Sequence, residues 1–294
     1  MLRAYNIKVK QGSFYLDVPK YETRGRRNFI MGENGSGKST FLKSICGIVP
    51  LESGEISVNG RRIEKLPIWE RKVSYIPQDL LLFPHFNVKE NLLISVRYGS
   101  GEIEIFNEVV KVMNLEGILD RSISKISGGE SQRVAVARAI ISKPEILLMD
   151  EPFSMQDERS RMSLISNLFS LIERYDITYI YVTHNFRDLE LGFDSLTTFE
   201  GGSVVESVSS LDELRKYKSV SLIDYRNIVK LGDKFLKVTD EAVVDDTSGY
   251  PCSCSLNGGA YFCSVKIEGE TYFFTSKRDH KSVLFREDKC VTLD

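Results

Sequence analysis

Apolar and polar positions along this chain follow two rhythms, and the points where one gives way to the other mark its elements. Near the N-terminus, Ile7-Lys8-Val9-Lys10 and Phe14-Tyr15-Leu16-Asp17-Val18 alternate with a period of two around Gly12, the pattern of two strands joined by a turn. Arg24 to Arg27 reads as a turn, and Asn28-Phe29-Ile30-Met31 is a short apolar run that stops at Gly32. From Ser39 the rhythm becomes helical, with apolar residues at Phe41, Leu42, Ile45 and Ile48. Gly54 to Gly60 predicts a strand ending in an Asn-Gly turn, and Val73 to Pro77 a strand ending at Gln78. Helical spacing dominates residues 88 to 140, with segments Val88 to Val96 (capped by Asn87), Ile103 to Met113 and Ser131 to Ile141. Ile146 to Met149 and Thr178 to Val182 are β-type runs, separated by an amphipathic helix from Arg159 to Tyr175.

This alternation predicts an α/β fold, a mainly parallel sheet with helices on both faces and a helical subdomain near residues 88 to 140. After Thr198 the texture changes. Ser203 to Val208 alternates, Leu211 to Tyr217 reads as a short helix, and from about Ser219 the chain looks all-β, with Phe235 to Val238, Ala260 to Ile267, Glu270 to Thr275 and Ser282 to Phe285. The reading is therefore a domain over residues 1–218 followed by a small barrel or sandwich over 219–294.

Composition narrows the picture. The 294 residues suit one ordinary domain and a smaller one, and 42% hydrophobic with 27% charged residues suits a globular protein with a sizeable core. A net charge of −2, with acids and bases spread along the chain, gives no support to nucleic-acid binding. No apolar run approaches the roughly 20 residues needed to span a bilayer, and Met1 to Tyr5 shows no apolar signal region. Any work at a membrane is thus expected of a peripheral subunit. Cys252, Cys254, Cys263 and Cys290 crowd the tail and Cys46 stands alone. Cys-x-Cys is not a standard zinc spacing, so ordinary reduced thiols are expected.

Five phosphate-chemistry motifs occur in one order. Gly32-Glu33-Asn34-Gly35-Ser36-Gly37-Lys38-Ser39-Thr40 satisfies G-x-x-x-x-G-K-[ST] between a predicted strand and a predicted helix. Its glycines let backbone N–H groups turn onto a phosphate, Lys38 reaches the β/γ oxygens, and Ser39 offers a hydroxyl to Mg²⁺. Asp150 sits at the end of a buried strand, where a carboxylate can hold Mg²⁺, and Glu151 follows it, placed to polarise a water. Acidic pairs at strand ends are also common caps. Ser127-Gly128-Gly129-Glu130 precedes a helix and is an anion site by geometry, although a plain capping turn has the same letters. A chain with one phosphate loop has no use for a second phosphate site in its own pocket, which points to the γ-phosphate of another copy. Gln78 and His184 end two further strands; a lone histidine there is more often structural.

The set resembles the nucleotide-binding subunit of an ABC transporter over about residues 1 to 210. Gly32 to Thr40 matches Walker A, Gln78 the glutamine loop, Asp150 and Glu151 Walker B, Ser154-Met155-Gln156-Asp157 the D-loop and His184 the switch histidine. Ile126-Ser127-Gly128-Gly129-Glu130 is a variant of the family's Leu-Ser-Gly-Gly-Gln signature, followed by Arg133 to Ala139. The resemblance implies a P-loop ATPase using ATP and Mg²⁺. Two copies, or one copy and a paralogous ATPase, would close head to tail around two ATPs. Gln78 would touch Mg²⁺ and sense a permease; His184 would hold the γ-phosphate and the attacking water. The family stacks adenine on an aromatic residue before Walker A. Phe14, Tyr15 and Tyr5 are the candidates, none at the usual spacing, and Phe14 is the one carried forward.

Leu82-Phe83-Pro84-His85-Phe86-Asn87-Val88-Lys89-Glu90-Asn91-Leu92 resembles the corresponding stretch of importer ATPases for sulfate, molybdate, tungstate, iron and sugars. Those often carry a C-terminal OB-like (TOBE) domain, which the tail could match. The resemblance thus implies a cytoplasmic-face ATPase working with a permease and, indirectly, a solute-binding protein. An exporter-type ATPase is the alternative, although such chains often lack a β tail. A soluble ABC ATPase outside transport is a further one, but the chain has no long coiled-coil insertion and no basic patch.

Overall fold

The computed structural model describes the chain except residues 99–102, 157, 186–187, 190–191, 210–227, 232–233, 238–242, 258–259, 268–269, 277–279, 286–290 and 293–294. It divides into two compact units, Met1–Ser209 and Ser210–Asp294. The expected boundary at 218/219 and the expected helix over 211–217 lie outside the described residues.

In the first unit, strands β1 (Leu2–Gln11), β2 (Phe14–Glu22), β4 (Ser53–Val58) and β5 (Arg61–Arg62) form an antiparallel sheet of order β2-β1-β4-β5. The second sheet takes β3 (Arg27–Gly32), β6 (Val73–Ile76), β7 (Ile146–Asp150), β8 (Thr178–Val182), β9 (Ser195–Glu200) and β10 (Ser203–Val208) in the order β10-β9-β3-β8-β7-β6. All neighbours in it are parallel except the β9–β10 hairpin. Helices α1 (Lys38–Cys46), α2 (Val88–Tyr98), α3 (Phe106–Val112), α4 (Gly128–Ile141) and α5 (Glu158–Arg174) complete the unit.

Strands β7 and β8 are buried at every position, as continuous apolar runs are when helices cover both faces of a parallel sheet. Residues of one face (Ile30, Ile146, Leu148, Ile180, Val182, Phe199) share a core cluster with Phe41, Leu42 and Ile45 of α1. The same cluster takes the inner faces of β1, β2 and β4, from Leu2 and Ala4 to Ile7 and Val9. Between those two pairs Asn6 takes a positive φ of 51° and the register with β4 shifts. The bulge adds one residue, so a strand that would otherwise turn its second half outward keeps both halves facing the core. The opposite face is aromatic: Phe169 of α5 stacks on Tyr179 at 4.7 Å, and Phe29 meets Tyr181 at 5.4 Å.

One expectation needs correction, and one strand was not anticipated. Ile103 to Met113 is not one helix: a 3₁₀ turn over Ile103–Ile105 precedes α3, which ends at Val112. Strand β9 is invisible to the hydrophobic pattern because Ser195, Thr197 and Thr198 sit inside it, each 1% exposed or less. Their hydroxyls are satisfied locally, Ser195 Oγ donating to Asn28 Oδ1 at 2.8 Å and Thr197 Oγ1 to Ser207 Oγ at 3.3 Å. Burial therefore costs little, and a central strand reads as a polar loop. By contrast the cap at Asn87 is as expected: Glu90 N donates to Asn87 Oδ1 at 2.8 Å, and Asn87 N to Glu90 Oε2 at 2.9 Å.

The described part of the second unit is β-structure. Strands β11 (Ile228–Leu231), β12 (Lys234–Lys237) and β17 (Val291–Thr292) form one antiparallel sheet. Strands β13 (Val243–Asn257), β14 (Ala260–Ile267), β15 (Glu270–Ser276) and β16 (Ser282–Phe285) form another, of order β15-β14-β13-β16. Val265, Ile267 and Val283 are buried in it.

One polar side chain locks the first unit together. Arg71, 7% exposed, donates to Ile45 O at the end of α1 and to Leu66 O and Glu64 O, each at 3.0 Å. It is a cation at a helix C-terminus that also pins the chain entering β6. We predict that Arg71→Ala lowers the stability of this unit by about 3 kcal/mol, since one buried and two part-buried carbonyls lose a charged donor. Urea unfolding followed by circular dichroism tests it; a loss below about 0.5 kcal/mol, within ordinary surface effects, would contradict the role.

Candidate nucleotide site

Parallel strands present their carboxyl ends on one edge, and ligands of such sheets bind there, where the connections diverge to either side. Strand β3 lies between β9 and β8, and its C-terminal residue is Gly32. With φ at +147°, a Cβ here would lie 2.2 Å from Phe199 O, so only glycine lets the chain leave the strand at this angle. The loop re-enters helical structure through Gly37, whose φ is +101°. Phe41 N donates to Gly37 O at 2.8 Å as the first turn closes. The N–H groups of Lys38, Ser39 and Thr40 precede that bond and have no acceptor within the helix. They form a positive helix terminus of the kind that receives phosphate.

Lys38 is 6% exposed. Its Nζ donates to Gly32 O and Glu33 O, both at 2.7 Å, and to Ser36 Oγ at 3.4 Å. Burial pulls its pKa down, opposed by the charges of Glu151, Asp150 and Glu33. Asp150 closes β7 at 3% exposure and accepts from Tyr75 Oη at 3.1 Å. Glu151 then leaves the sheet with a left-handed backbone, φ +52°, its N–H bonded to Val182 O at 3.1 Å. This conformation costs a non-glycine residue roughly 1–2 kcal/mol, and strain of that kind gathers at functional sites. Its Oε1 lies 2.6 Å from His184 Nε2. The hydrogen bond from His184 is the largest influence holding the Glu151 carboxyl below its usual range, with His184 and Lys38 charge and a Gln78 hydrogen bond acting the same way against desolvation. Glu151 is therefore ionised at neutral pH.

The turn after β8 that carries His184 is fixed from behind. Thr183 Oγ1 donates to Asp188 Oδ2 at 2.6 Å and accepts from Asn185 N at 2.9 Å. Asp188 is fully buried, and its other oxygen lies 3.6 Å from Arg161 Nη2 on α5. Phe14, Asn34, Gly35, Gly37, Lys38, Ser39, Thr40, Gln78 and Glu151 line a single cavity of about 330 Å³, joined by Gln11 of the β1–β2 hairpin. Of the aromatic candidates, Phe14 reaches this cavity, whereas the Tyr5 hydroxyl is bonded to Glu22.

The signature residues do not line that cavity. Ser127 caps α4 in a capping box, Oγ accepting from Glu130 N at 3.2 Å while Glu130 Oε2 accepts from Ser127 N at 2.7 Å. Ser127 and Gly128 are exposed. Behind them Gln132, 1% exposed, donates to Ser154 Oγ and accepts from Met155 N, both at 3.2 Å. Gln156 Nε2 donates to Gly129 O at 2.7 Å. The segment after Glu151 therefore rests on the signature turn; Asp157 lies outside the described residues. Reading the motifs alone misses Tyr75, Gln132, Arg161 and Asp188. Each acts on a residue 5 or more positions away, and Tyr75 does so from a neighbouring strand.

Residues 20–154 match the sequence profile of the ABC transporter family. Among solved structures, a dimeric bacterial ABC transporter cassette, MJ0796, superposes with a TM-score of 0.63 at 25% identity, over 71% of this chain and 98% of its own. The same values hold for its post-hydrolysis dimer bound to ADP and Pi. The ATP-binding subunit of another ABC transporter gives a TM-score of 0.66 at 24% identity, over 74% of this chain and 92% of that one. A glycine-bounded phosphate loop at the C-terminal edge of the sheet, with these matches, gives the first unit the P-loop fold of an ATP-binding cassette, similar to those of ABC transporters.

Proposed function

We propose that this chain is the ATP-hydrolysing subunit of an ABC importer, seated at the cytoplasmic face of a membrane and driving solute uptake through a separate permease. The observation that carries the reading is the convergence of Lys38, Gln78, Glu151 and Phe14 on one cavity, with His184 bonded to Glu151 at its edge. ABC cassettes are ATPases, and each step has a residue suited to it. Phe14 offers a ring for adenine. The N–H groups opening α1 and the Lys38 ammonium hold the β- and γ-phosphates. Glu151, kept ionised, accepts a proton from the attacking water. His184 and Gln78 fix that carboxylate and reach the γ-phosphate side of the cavity.

Mg²⁺ would neutralise charge across the β/γ-phosphates, and the donors available suit a hard cation: the Ser39 hydroxyl, the Gln78 amide oxygen and the Asp150 carboxylate. Among the described residues no three His, Cys, Asp or Glu side chains gather as a cage of their own. That fits an ion shared with substrate phosphates, as Mg²⁺ is usually bound.

The Ser127-Gly128-Gly129 turn at the start of α4, exposed at Ser127 and Gly128, is read as the cap on a partner's γ-phosphate, completing two sites in a head-to-tail dimer of two copies or of a copy and a paralogue. Dimeric MJ0796 supports this. The Glu130 carboxylate, which replaces the family's glutamine, is occupied by Ser127 N–H and so is turned back on its own helix. A cavity of about 350 Å³ between β6, α2 and α4, with Leu81 and Phe83 exposed at its rim, suits a permease segment. Arg138 lies over the Phe83 ring at 5.6 Å and donates to Leu80 O and Leu81 O, which stiffens this wall. The importer-like stretch from Leu82 to Leu92 contributes Phe83 to it. No helix among the described residues is long and apolar enough to cross a membrane, in keeping with a separate permease. The β-rich tail is read as an accessory or regulatory unit, and a solute-binding protein as an indirect partner.

Three measurements test this reading. Glu151→Gln is expected to keep ATP binding and lower turnover at least 100-fold, because the water loses its base, and to accumulate a dimer in ATP. Hydrolysis at the wild-type rate would refute the assignment. Gly128→Asp places a carboxylate where the partner's phosphate is expected, while an acid at a helix N-terminus leaves the fold intact. Monomeric nucleotide affinity should therefore survive and ATP-dependent dimerisation disappear; a variant that still dimerises reduces the motif to a cap. A chain ending at Ser209 should retain ATP hydrolysis, with a changed response to added oxyanions or sugars. If neither form responds to any solute and both dimerise alike, the tail has no regulatory part.

A further inference from the structure

Strand β6 carries a phenol that none of the sequence motifs includes and that the steps above do not use. In the parallel ladder Tyr75 is the Cα partner of Leu148, and side chains two residues apart on a strand share a face. Tyr75, Leu148 and Asp150 therefore project to one side of the sheet, the side that also packs α1 and the phosphate loop. Tyr75 packs against that core and extends its hydroxyl to Asp150, Oη donating to Oδ2 at 3.1 Å. Among the described residues, the hydrogen bond from Tyr75 is the one the Asp150 side chain accepts. Lys38 contributes charge but spends its donors on Gly32, Glu33 and Ser36.

We propose that Tyr75 is a positioning residue for the metal-binding carboxylate: by holding Oδ2 it fixes the rotation of the Asp150 carboxyl group and leaves the Oδ1 edge turned to the Mg²⁺ that accompanies ATP. The inference rests on the reading that Asp150 holds the ion. A buried carboxylate with no donor is free to rotate, which would weaken its hold on a cation. Partners behind a metal ligand commonly matter 10–100-fold for metal affinity. Position 75 achieves this across a strand boundary, from a residue three places before Gln78. One strand therefore supplies the support for Asp150, and the loop leaving it supplies the proposed metal-touching amide.

The experiment titrates Mn²⁺ by electron paramagnetic resonance into the full chain saturated with a non-hydrolysable ATP analogue, for wild type, Tyr75→Phe, Asp150→Asn and the double variant. Nucleotide affinity in EDTA and the thermal midpoint are measured beside it. Phenylalanine keeps the packing and removes only the hydroxyl. The expected result is about a tenfold rise in the Mn²⁺ half-saturation of Tyr75→Phe, with EDTA nucleotide affinity unchanged within about twofold, a statement of assay precision. Because the hydroxyl acts through Asp150, Tyr75→Phe should change nothing further in the Asp150→Asn background. An unchanged metal titration overturns the proposal. So does an equal loss of nucleotide affinity with and without metal, which marks a merely structural residue, or an additive effect in the double variant. If wild type and Asp150→Asn bind Mn²⁺ alike, the Asp150 assignment itself fails, an outcome distinct from failure at Tyr75 alone.

Discussion

Lys38 keeps its ammonium beneath the phosphate loop at 6% exposure, and much of the site's geometry follows from what that charge requires. A buried cation without partners would lose its proton or unfold its surroundings. Here the loop curls so that Gly32 O, Glu33 O and Ser36 Oγ accept from it, and Asp150 and Glu151 supply opposing charge from the end of β7. The Lys38 N–H donors held by these acceptors are the ones a phosphate chain would draw toward itself. The loop can curl in this way because Gly32 approaches Phe199 more closely than any Cβ would allow.

The two faces of the parallel sheet divide the labour. The face toward α1 and the antiparallel sheet is mostly aliphatic, with Phe199 against Phe41, and ends in Tyr75 and Asp150 beside Lys38 of α1. The other is built from Phe29, Phe169, Tyr179 and Tyr181, whose edge-to-face and stacked contacts seat α5. Helix α5 carries Arg161, which faces Asp188, and Asp188 holds Thr183 beside His184. Packing on one face thus fixes the phosphate loop, while packing on the other fixes the histidine that meets Glu151 from the next strand. Glu151 sits between them in a strained backbone.

The signature turn obeys a different constraint. Its serine and glutamate satisfy one another's backbone N–H groups, so the start of α4 is stable without a ligand. Gln132 and Gln156 tie it to the segment after Glu151. A displacement of that turn by a second subunit would be carried through the Gln132 and Gln156 amides to the segment after Glu151. The start of α4 is thereby joined to the segment that follows Glu151 in its own chain.

The sequence determined on its own whatever is encoded locally: the strand–glycine loop–helix of Gly32 to Thr40, the capping of α2 by Asn87, the continuous apolar strands β7 and β8, and the identities of Asp150, Glu151 and His184. These depend on backbone preference and periodicity over a few residues, and those operate before the chain folds. Tertiary structure alone decided the rest. Strand β9 escaped the pattern because its buried hydroxyls find acceptors on Asn28 and Ser207, residues distant from it in sequence or on the other arm of its hairpin. Tyr75 beside Asp150, Gln132 beneath Met155 and Arg161 against Asp188 are set by which strands become neighbours and in what register. Register is a property of the whole sheet, fixed by the simultaneous burial of many side chains, and no window of sequence contains it.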